Sequence, residues 1–282
     1  MSKRFIILFE QKEGSTPMIR LLDNFDAIDI VHQVSNTGWE PFDRHTAGAM
    51  PFGSYLRCLE LIFGPDEPYM EELNSIYSST SSRPLETFDK KKNVGFKMRL
   101  RPQHDNKFVR WIRSPKFKRE TFNILRKHGV VVFVTVRQDV FRWALSMYHG
   151  NGTGQPGHLQ FKLAKGLIKR SDIPPINVDL ADFRPILEKF ENQIEQKRQL
   201  IERLNGMGIP AFPLLYEEFC GDQVAFFQNF VERLELPLSA DDVRAALHQG
   251  TDLKKVHSDD ISEFVINADE VLAEFGDRYI PW

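Results

Sequence analysis

Hydrophobic and polar residues alternate between two patterns along the first 216 positions of the chain. Short continuous apolar runs predict buried parallel strands at residues 5–9, 27–31, 94–98, 130–136 and 209–215. Between them, apolar residues at helical spacing predict helices at residues 16–25, 52–63, 116–127, 140–149 and about 180–204. This order of elements predicts an α/β fold with a central parallel sheet flanked by helices.

The strongest strand pattern lies at residues 130–136, where most residues are β-branched, so we expect this strand at the centre of the sheet. Beyond residue 216 the pattern is helical only, at 223–234, at 240–248 with Ser239 as N-cap, and at 262–275. The polar segment 69–93 and the glycine-rich segment 150–157 are predicted to be loops. They lie within insertions near 64–93 and 150–180, and the sheet pattern resumes after each, which predicts one domain over residues 1–282.

Composition and charge exclude several classes of protein. The chain has 41% hydrophobic and 27% charged residues, which is typical of a globular protein. With 37 basic and 39 acidic residues its net charge is −2, so no overall positive field would hold nucleic acid. The apolar runs are far shorter than the roughly 20 residues that span a bilayer, which predicts no membrane insertion. Two cysteines and a first segment without a signal-peptide pattern indicate the cytoplasm.

The first predicted strand leads into a short loop that opens a helix. Its residues are Lys12, Glu13, Gly14, Ser15 and Thr16. A glycine there lets backbone amides approach an anion, and the helix N-terminus, an ammonium and two hydroxyls add donors, so the loop is a candidate phosphate or sulfate site. It is not a Walker A motif, because GxxxxGK[ST] is absent. The alternative is a plain turn with a capped helix.

A second candidate anion site follows the strand at 130–136. The strand delivers Arg137 at its carboxyl end, and the next helix carries Ser146. Ligands of open α/β sheets bind at the carboxyl ends of strands, so both candidate sites would share one edge of the sheet. The guanidinium fork suits a phosphate. Taken singly, Arg137 could equally be a surface residue that pairs with Asp139. Ser146 could equally be an ordinary position of the helix.

Together and in this order, these residues resemble the sulfotransferases that use 3′-phosphoadenosine 5′-phosphosulfate (PAPS), in particular the bacterial trehalose-type and carbohydrate-type members. The segments 214–237 and 251–271 are similar to the family's later motifs. The resemblance implies a P-loop-NTPase-like domain of three layers with a mostly helical C-terminal part. It also implies that residues 12–16 hold the 5′-phosphosulfate and that Arg137 and Ser146 hold the 3′-phosphate. Lys254 and Lys255 are the candidates for a basic residue that reaches back over the nucleotide.

The same resemblance implies in-line transfer of the sulfuryl group, without a metal, to a hydroxyl of a small metabolite, carbohydrate or lipid, leaving adenosine 3′,5′-bisphosphate. Lys12 would stabilise the charge of the leaving group. The segment 35–43 resembles the part of trehalose-type members that presents an acidic residue, which makes Glu40 the first candidate for the base. His45 and His32 are the other candidates, because further branches of the family use a histidine. Lys97 is either a residue of the same edge or a structural partner of an acidic group.

Two other functions stay open at this point. One is a P-loop-type phosphotransferase dependent on a nucleotide, and the other is a nucleotide-binding module without catalysis. The glycine-rich segment 150–157 fits either a lid over the acceptor or a surface loop. The sequence also leaves open whether the protein is a monomer or a dimer.

Overall fold

The computed structural model describes residues 2–32, 50–65, 69–79, 84–100, 115–152, 162–163, 165–250, 260–276 and 278–282. Within these ranges the strands are β1 Arg4–Phe9, β2 Ile28–Ile30, β3 Asn93–Arg99, β4 Val131–Val136 and β5 Ala211–Leu215. The helices in the same ranges are α1 Ser15–Leu22, α2 Phe52–Phe63, α3 Tyr69–Ser79, α4 Pro115–Lys127, α5 Val140–Gly152, α6 Leu180–Gly206, α7 Tyr216–Gly221, α8 Gln223–Arg233, α9 Ala240–His248 and α10 Ala268–Phe275. Single 3₁₀ turns lie at Arg170–Asp172 and Ile261–Glu263.

The described strands form one parallel sheet in the order β2-β3-β1-β4-β5. The central strand is therefore β1, and β4, for which the sequence predicts the centre, is the internal strand beside it. The registers Phe9↔Arg99 and Val136↔Leu215 bring the carboxyl ends of four strands to one edge. The strands β2 and β3, which follow β1 in the chain, lie on one side of β1, and β4 and β5 lie on its other side. A crevice at such a reversal of strand order is where open α/β sheets bind their ligands.

Side chains of the central strand alternate between two hydrophobic layers, as the pleat of a strand requires. Ile6 and Leu8 pack with α2, α3 and α4 on one face of the sheet. Phe5 and Ile7 pack with α1, α8 and α9 on the other face. The α/β class with helices on both faces of a parallel sheet is thus confirmed, while the extent of one domain over residues 1–282 stays a prediction.

A third hydrophobic cluster joins α5, α6 and the C-terminal helix α10. At its centre, the ring of Trp143 stacks on that of Phe190 with centroids 4.0 Å apart. Both rings are almost completely buried. This cluster fixes α5 and α6 to each other, and Trp143 contacts Gln11 in the loop that follows β1.

Two predicted loops contain helix in the structure. The segment 69–93 begins with α3, whose buried residues Tyr69, Leu73 and Tyr77 recur every four positions and pack on the core. The polar and charged residues between them hide this period in the sequence, so the prediction of a loop was wrong there. Likewise, α5 continues through Gly152, and residues 153–157 lie outside the described ranges.

Candidate functional site

The loop between β1 and α1 takes an unusual backbone path at the carboxyl edge of the sheet. Lys12 and Gly14 both have left-handed backbone angles, with φ of 64° and 76°. Gly14 is the N-cap of α1, and no side chain caps the helix. The first N–H groups of a helix have no partner within the helix, so they are available to an anion at this point.

Tyr216 packs directly on Gly14 and leaves no room for a side chain there. A Cβ atom at position 14 would lie 2.4 Å from both Cδ2 and Cε2 of the Tyr216 ring. Position 14 therefore requires glycine for two reasons: its φ is left-handed, and the Tyr216 ring occupies the space of a Cβ atom. Burial raises the pKa of the Tyr216 phenol to about 12, so the ring carries a neutral hydroxyl at physiological pH.

Arg137 connects the end of β4 to the same loop. Its Nη1 donates a hydrogen bond to the carbonyl oxygen of Lys12, with an N···O distance of 3.0 Å. Its guanidinium lies 4.7 Å from the centroid of the Tyr216 ring, since β4 and β5 end side by side. The structure thus places Arg137 next to the loop of residues 12–16, on the edge where the sequence predicts both.

A second basic residue reaches the loop from the other side of β1. Lys97 lies on β3, is 1% exposed, and donates from Nζ to Oγ1 of Thr16 at 2.9 Å. Its ammonium also lies 4.6 Å from the centroid of the Phe9 ring. Thr16 in α1 is half-buried, and its hydroxyl is oriented by this contact.

The carboxylate of Glu13 points into the protein. It is completely buried, and its Oε2 accepts hydrogen bonds from the backbone N–H of Glu10 at 2.7 Å and from Oγ1 of Thr135 at 2.6 Å. Its Oε1 forms an ion pair with Lys197 of α6. The side chain of Glu13 therefore supports the loop from inside the protein.

Lys12 keeps contact with solvent, yet the protein around it removes part of the hydration of its ammonium. This desolvation lowers the pKa of Lys12 from its ordinary value. A partly desolvated cation interacts more strongly with an anion than a fully hydrated one.

Helix α5 contributes the predicted Ser146 and two aromatic neighbours. Ser146 is half-buried and lies in the second turn of α5, nine residues after Arg137. The hydroxyl of Tyr148 accepts a hydrogen bond from the N–H of Asp179 at 3.2 Å, and its ring meets that of Phe183 edge to face. Tyr148 thus packs against α6.

His149, one turn beyond Ser146, is fully buried. Burial lowers the pKa of its imidazole, and the positive charge of Lys12 lowers it further. The imidazole is therefore neutral at physiological pH and lies within the electrostatic reach of the loop.

Several candidate residues fall outside the described residues, namely Glu40, His45, Lys254 and Lys255. The third candidate for the base, His32, lies just beyond β2 with Nε2 3.8 Å from Oε2 of Glu86. Among the residues that the structure describes, no group of three or more His, Cys, Asp and Glu side chains is arranged to hold a metal ion. In the same ranges, no helix is both long and apolar enough to cross a bilayer.

The sequence interpretation missed two residues of this site. Tyr216 follows a predicted strand in the same way as Arg137, so its position at the edge of the sheet was available as a signal. Lys197 lies in the middle of a long polar helix, 184 positions from Glu13, and no local pattern distinguishes it from the surface lysines around it.

No protein-family model matches the chain, and no curated protein matches it in sequence. Solved structures do match it. One is sulfotransferase STF9 from Mycobacterium avium, with 14% identity over 98% of this chain and 76% of that chain, at a TM-score of 0.40. Another is mouse sulfotransferase SULT7A1 complexed with PAP, with 12% identity over 97% of this chain and 84% of that chain, at a TM-score of 0.39. Both are sulfotransferases, the class that the sequence motifs of this chain resemble.

Proposed function

We propose that this protein is a sulfotransferase that moves the sulfuryl group of PAPS to a hydroxyl of a small metabolite, carbohydrate or lipid. The observation that carries the proposal is the hydrogen bond between Arg137 and the Lys12 carbonyl. It joins two candidate anion sites at the carboxyl edge of one parallel sheet, and a ligand with phosphate groups at two ends of a nucleoside suits such a pair.

In this proposal the loop holds the 5′-phosphosulfate. The first N–H groups of α1 and the hydroxyls of Ser15 and Thr16 donate to its oxygens, and Lys12 supplies a positive charge. The φ of Gly14 and the ring of Tyr216 fix the conformation of the backbone that carries these donors. Lys97 fixes the hydroxyl of Thr16 and adds a buried positive charge behind it.

The 3′-phosphate binds to Arg137 and Ser146 in the same proposal. Arg137 donates from Nη1 to the Lys12 carbonyl, and its guanidinium also lies against the Tyr216 ring. Lys254 and Lys255 are proposed to close over the nucleotide from the C-terminal part.

The transfer breaks the bond between sulfur and the oxygen of the 5′-phosphate and forms a bond between sulfur and the acceptor oxygen. The acceptor proton passes to a base, for which Glu40, His45 and His32 are the proposed candidates, and the leaving group is adenosine 3′,5′-bisphosphate. Negative charge grows on the leaving oxygen, where Lys12 is placed to stabilise it. Loss of one such donor typically slows a reaction by about 10² to 10³.

The proposed setting is the cytoplasm, with a hydroxylated small molecule as acceptor and no nucleic acid partner. The net charge of −2 fits a protein that binds anions through a local cluster rather than through an overall field.

The test is calorimetric titration with adenosine 3′,5′-bisphosphate, 5′-AMP and magnesium-ATP. We expect micromolar binding of the bisphosphate and at least a tenfold loss without the 3′-phosphate, as the removal of a charged hydrogen-bonded group predicts. The test variants are R137A and K12A. Their matched controls are R244A, which changes an exposed arginine of α9, and K189A, which changes an exposed lysine of α6. Transfer of labelled sulfate from PAPS to a panel of hydroxylated acceptors, with and without EDTA, then tests the reaction. A preference for magnesium-ATP, or no binding of the bisphosphate, would reject the proposal and favour a phosphotransferase.

A further inference from the structure

The loop that follows β1 carries a carboxylate where the proposed function requires an anion to bind. Glu13 lies between Lys12 and Gly14, and its charge would repel a phosphate or sulfate group at the loop. The structure turns this side chain inward, where Lys197, Thr135 and the N–H of Glu10 contact it. Both charges of the pair are almost fully buried, with Glu13 at 0% and Lys197 at 3% exposure.

Lys197 is itself held in one position by three different contacts. Besides Glu13, its Nζ donates to the carbonyl oxygen of Thr135 at 2.8 Å. The ammonium also lies 4.9 Å from the centroid of the Trp143 ring. The indole N–H of Trp143 in turn donates to the carbonyl oxygen of Gln11 at 2.7 Å, in the same loop. Lys197 and Trp143 therefore support the same loop, Lys197 at Glu13 and Trp143 at Gln11.

A buried ion pair is stabilised by its mutual attraction, and loss of one member leaves an isolated charge in a medium of low dielectric constant. If Lys197 were absent, the carboxylate of Glu13 would act on a bound anion without compensation. If Glu13 were absent, the charge of Lys197 would act on the anion with the favourable sign. The two single substitutions thus have opposite electrostatic consequences for the ligand, although each removes the same contact.

We infer that Lys197 is a positioning residue of the loop of residues 12–16, which we call the anion loop. Lys197 neutralises Glu13 and orients its carboxylate away from the ligand. This inference rests on the proposed function, because it concerns the affinity of the loop for a phosphate or sulfate group. Lys197 does not contact the ligand and acts through Glu13. The ion pair allows a loop with an acidic residue to bind an anion.

The experiment measures the affinity for adenosine 3′,5′-bisphosphate in K197M, E13Q and the double variant E13Q/K197M by calorimetry. K197M is expected to bind the bisphosphate more than about fivefold more weakly, because the uncompensated charge of Glu13 would repel the anion through a medium of low dielectric constant. E13Q is expected to bind as tightly as the wild type or more tightly. The double variant, with neither charge, is expected within about fivefold of the wild type.

K90M provides the matched control. Lys90 is also a buried lysine, but it donates to the carbonyl of Gly64 and contacts residues near the amino ends of the strands. Thermal unfolding of each variant shows whether it is folded at the temperature of the titration. If K197M alone does not fold, E13Q and the double variant still decide between the two roles of the pair.

A purely structural pair predicts that E13Q and K197M weaken binding alike, and this result would overturn the inference. Binding by K197M within about fivefold of the wild type would overturn it as well, since the loop would then bind the anion without Lys197. In both cases the wild type still binds the bisphosphate and the proposed function stands. A wild type that does not bind the bisphosphate rejects the proposed function and the inference together.

Discussion

The guanidinium of Arg137 donates to the carbonyl oxygen of Lys12 at 3.0 Å, across the boundary between two strands that are neighbours only in the folded sheet. This bond makes Arg137 part of the loop as well as a candidate ligand of a phosphate. Lys12 adopts φ of 64°, which few residues other than glycine do, and the bond stabilises the peptide group that follows it. Substitution of Arg137 therefore has two separable effects.

We expect R137A to bind adenosine 3′,5′-bisphosphate about 10-fold to 100-fold more weakly than the wild type, as loss of a hydrogen bond to a charged group predicts. Adenosine 5′-phosphosulfate, which lacks the 3′-phosphate, is expected to lose much less, because it is affected only through the loop. Calorimetry with both ligands measures the difference. Equal losses would assign Arg137 to support of the loop alone.

We expect G14A to lose most of its affinity for the bisphosphate while remaining folded. Alanine at φ of 76° is strained by about 1 to 2 kcal/mol, and its Cβ also collides with the ring of Tyr216. G208A is the matched control, because Gly208 has φ of 74° and open space around it. It should show the backbone strain in thermal unfolding and an unchanged affinity. If both variants bind as the wild type does, the contact with Tyr216 is not needed for the loop.

The affinity for the bisphosphate is expected to fall on the alkaline side at a lower pH than an ordinary lysine would give. Burial lowers the pKa of Lys12, and only its charged form attracts the anion, so binding is intact below that pKa and weakens as the pH rises through it. K12R should bind over the whole alkaline range, because arginine stays protonated. If the affinity of the wild type stayed constant up to the pH range in which an ordinary lysine loses its proton, Lys12 would not be the residue that attracts the anion.

The bond between Lys97 and Thr16 is expected to couple the two residues in binding. K97M and T16V should each weaken binding of the bisphosphate. The double variant should lose less binding free energy than the sum of the two single losses, with a coupling free energy of about 1 kcal/mol. T121V, in which another buried threonine is changed on α4, is the control and should bind as the wild type does. Additive losses would show that Lys97 acts on the ligand independently of Thr16.

Much of the fold could be predicted from the sequence, because the strands are short apolar runs and the helices between them keep a clear period. The loop with Gly14 and the strand end at Arg137 were predictable for the same reason, since each follows a recognisable strand. Helix α3 was missed because its three buried residues are separated by polar ones. The ion pair of Glu13 and Lys197 was not predictable, since it depends on how α6 packs beside β4 and not on any neighbour in the sequence.

The separation between Glu13 and Lys197 also determines when the loop takes its final form during synthesis. Residue 197 leaves the ribosome long after β1, and until then the carboxylate of Glu13 has no counter-charge and the indole of Trp143 no helix α6 to pack on. The first strand and helix can pair early, but the anion loop is completed only after two thirds of the chain has been made. A nascent chain or a truncation that ends before α6 lacks the counter-charge of Glu13 and should therefore fail to retain a nucleotide.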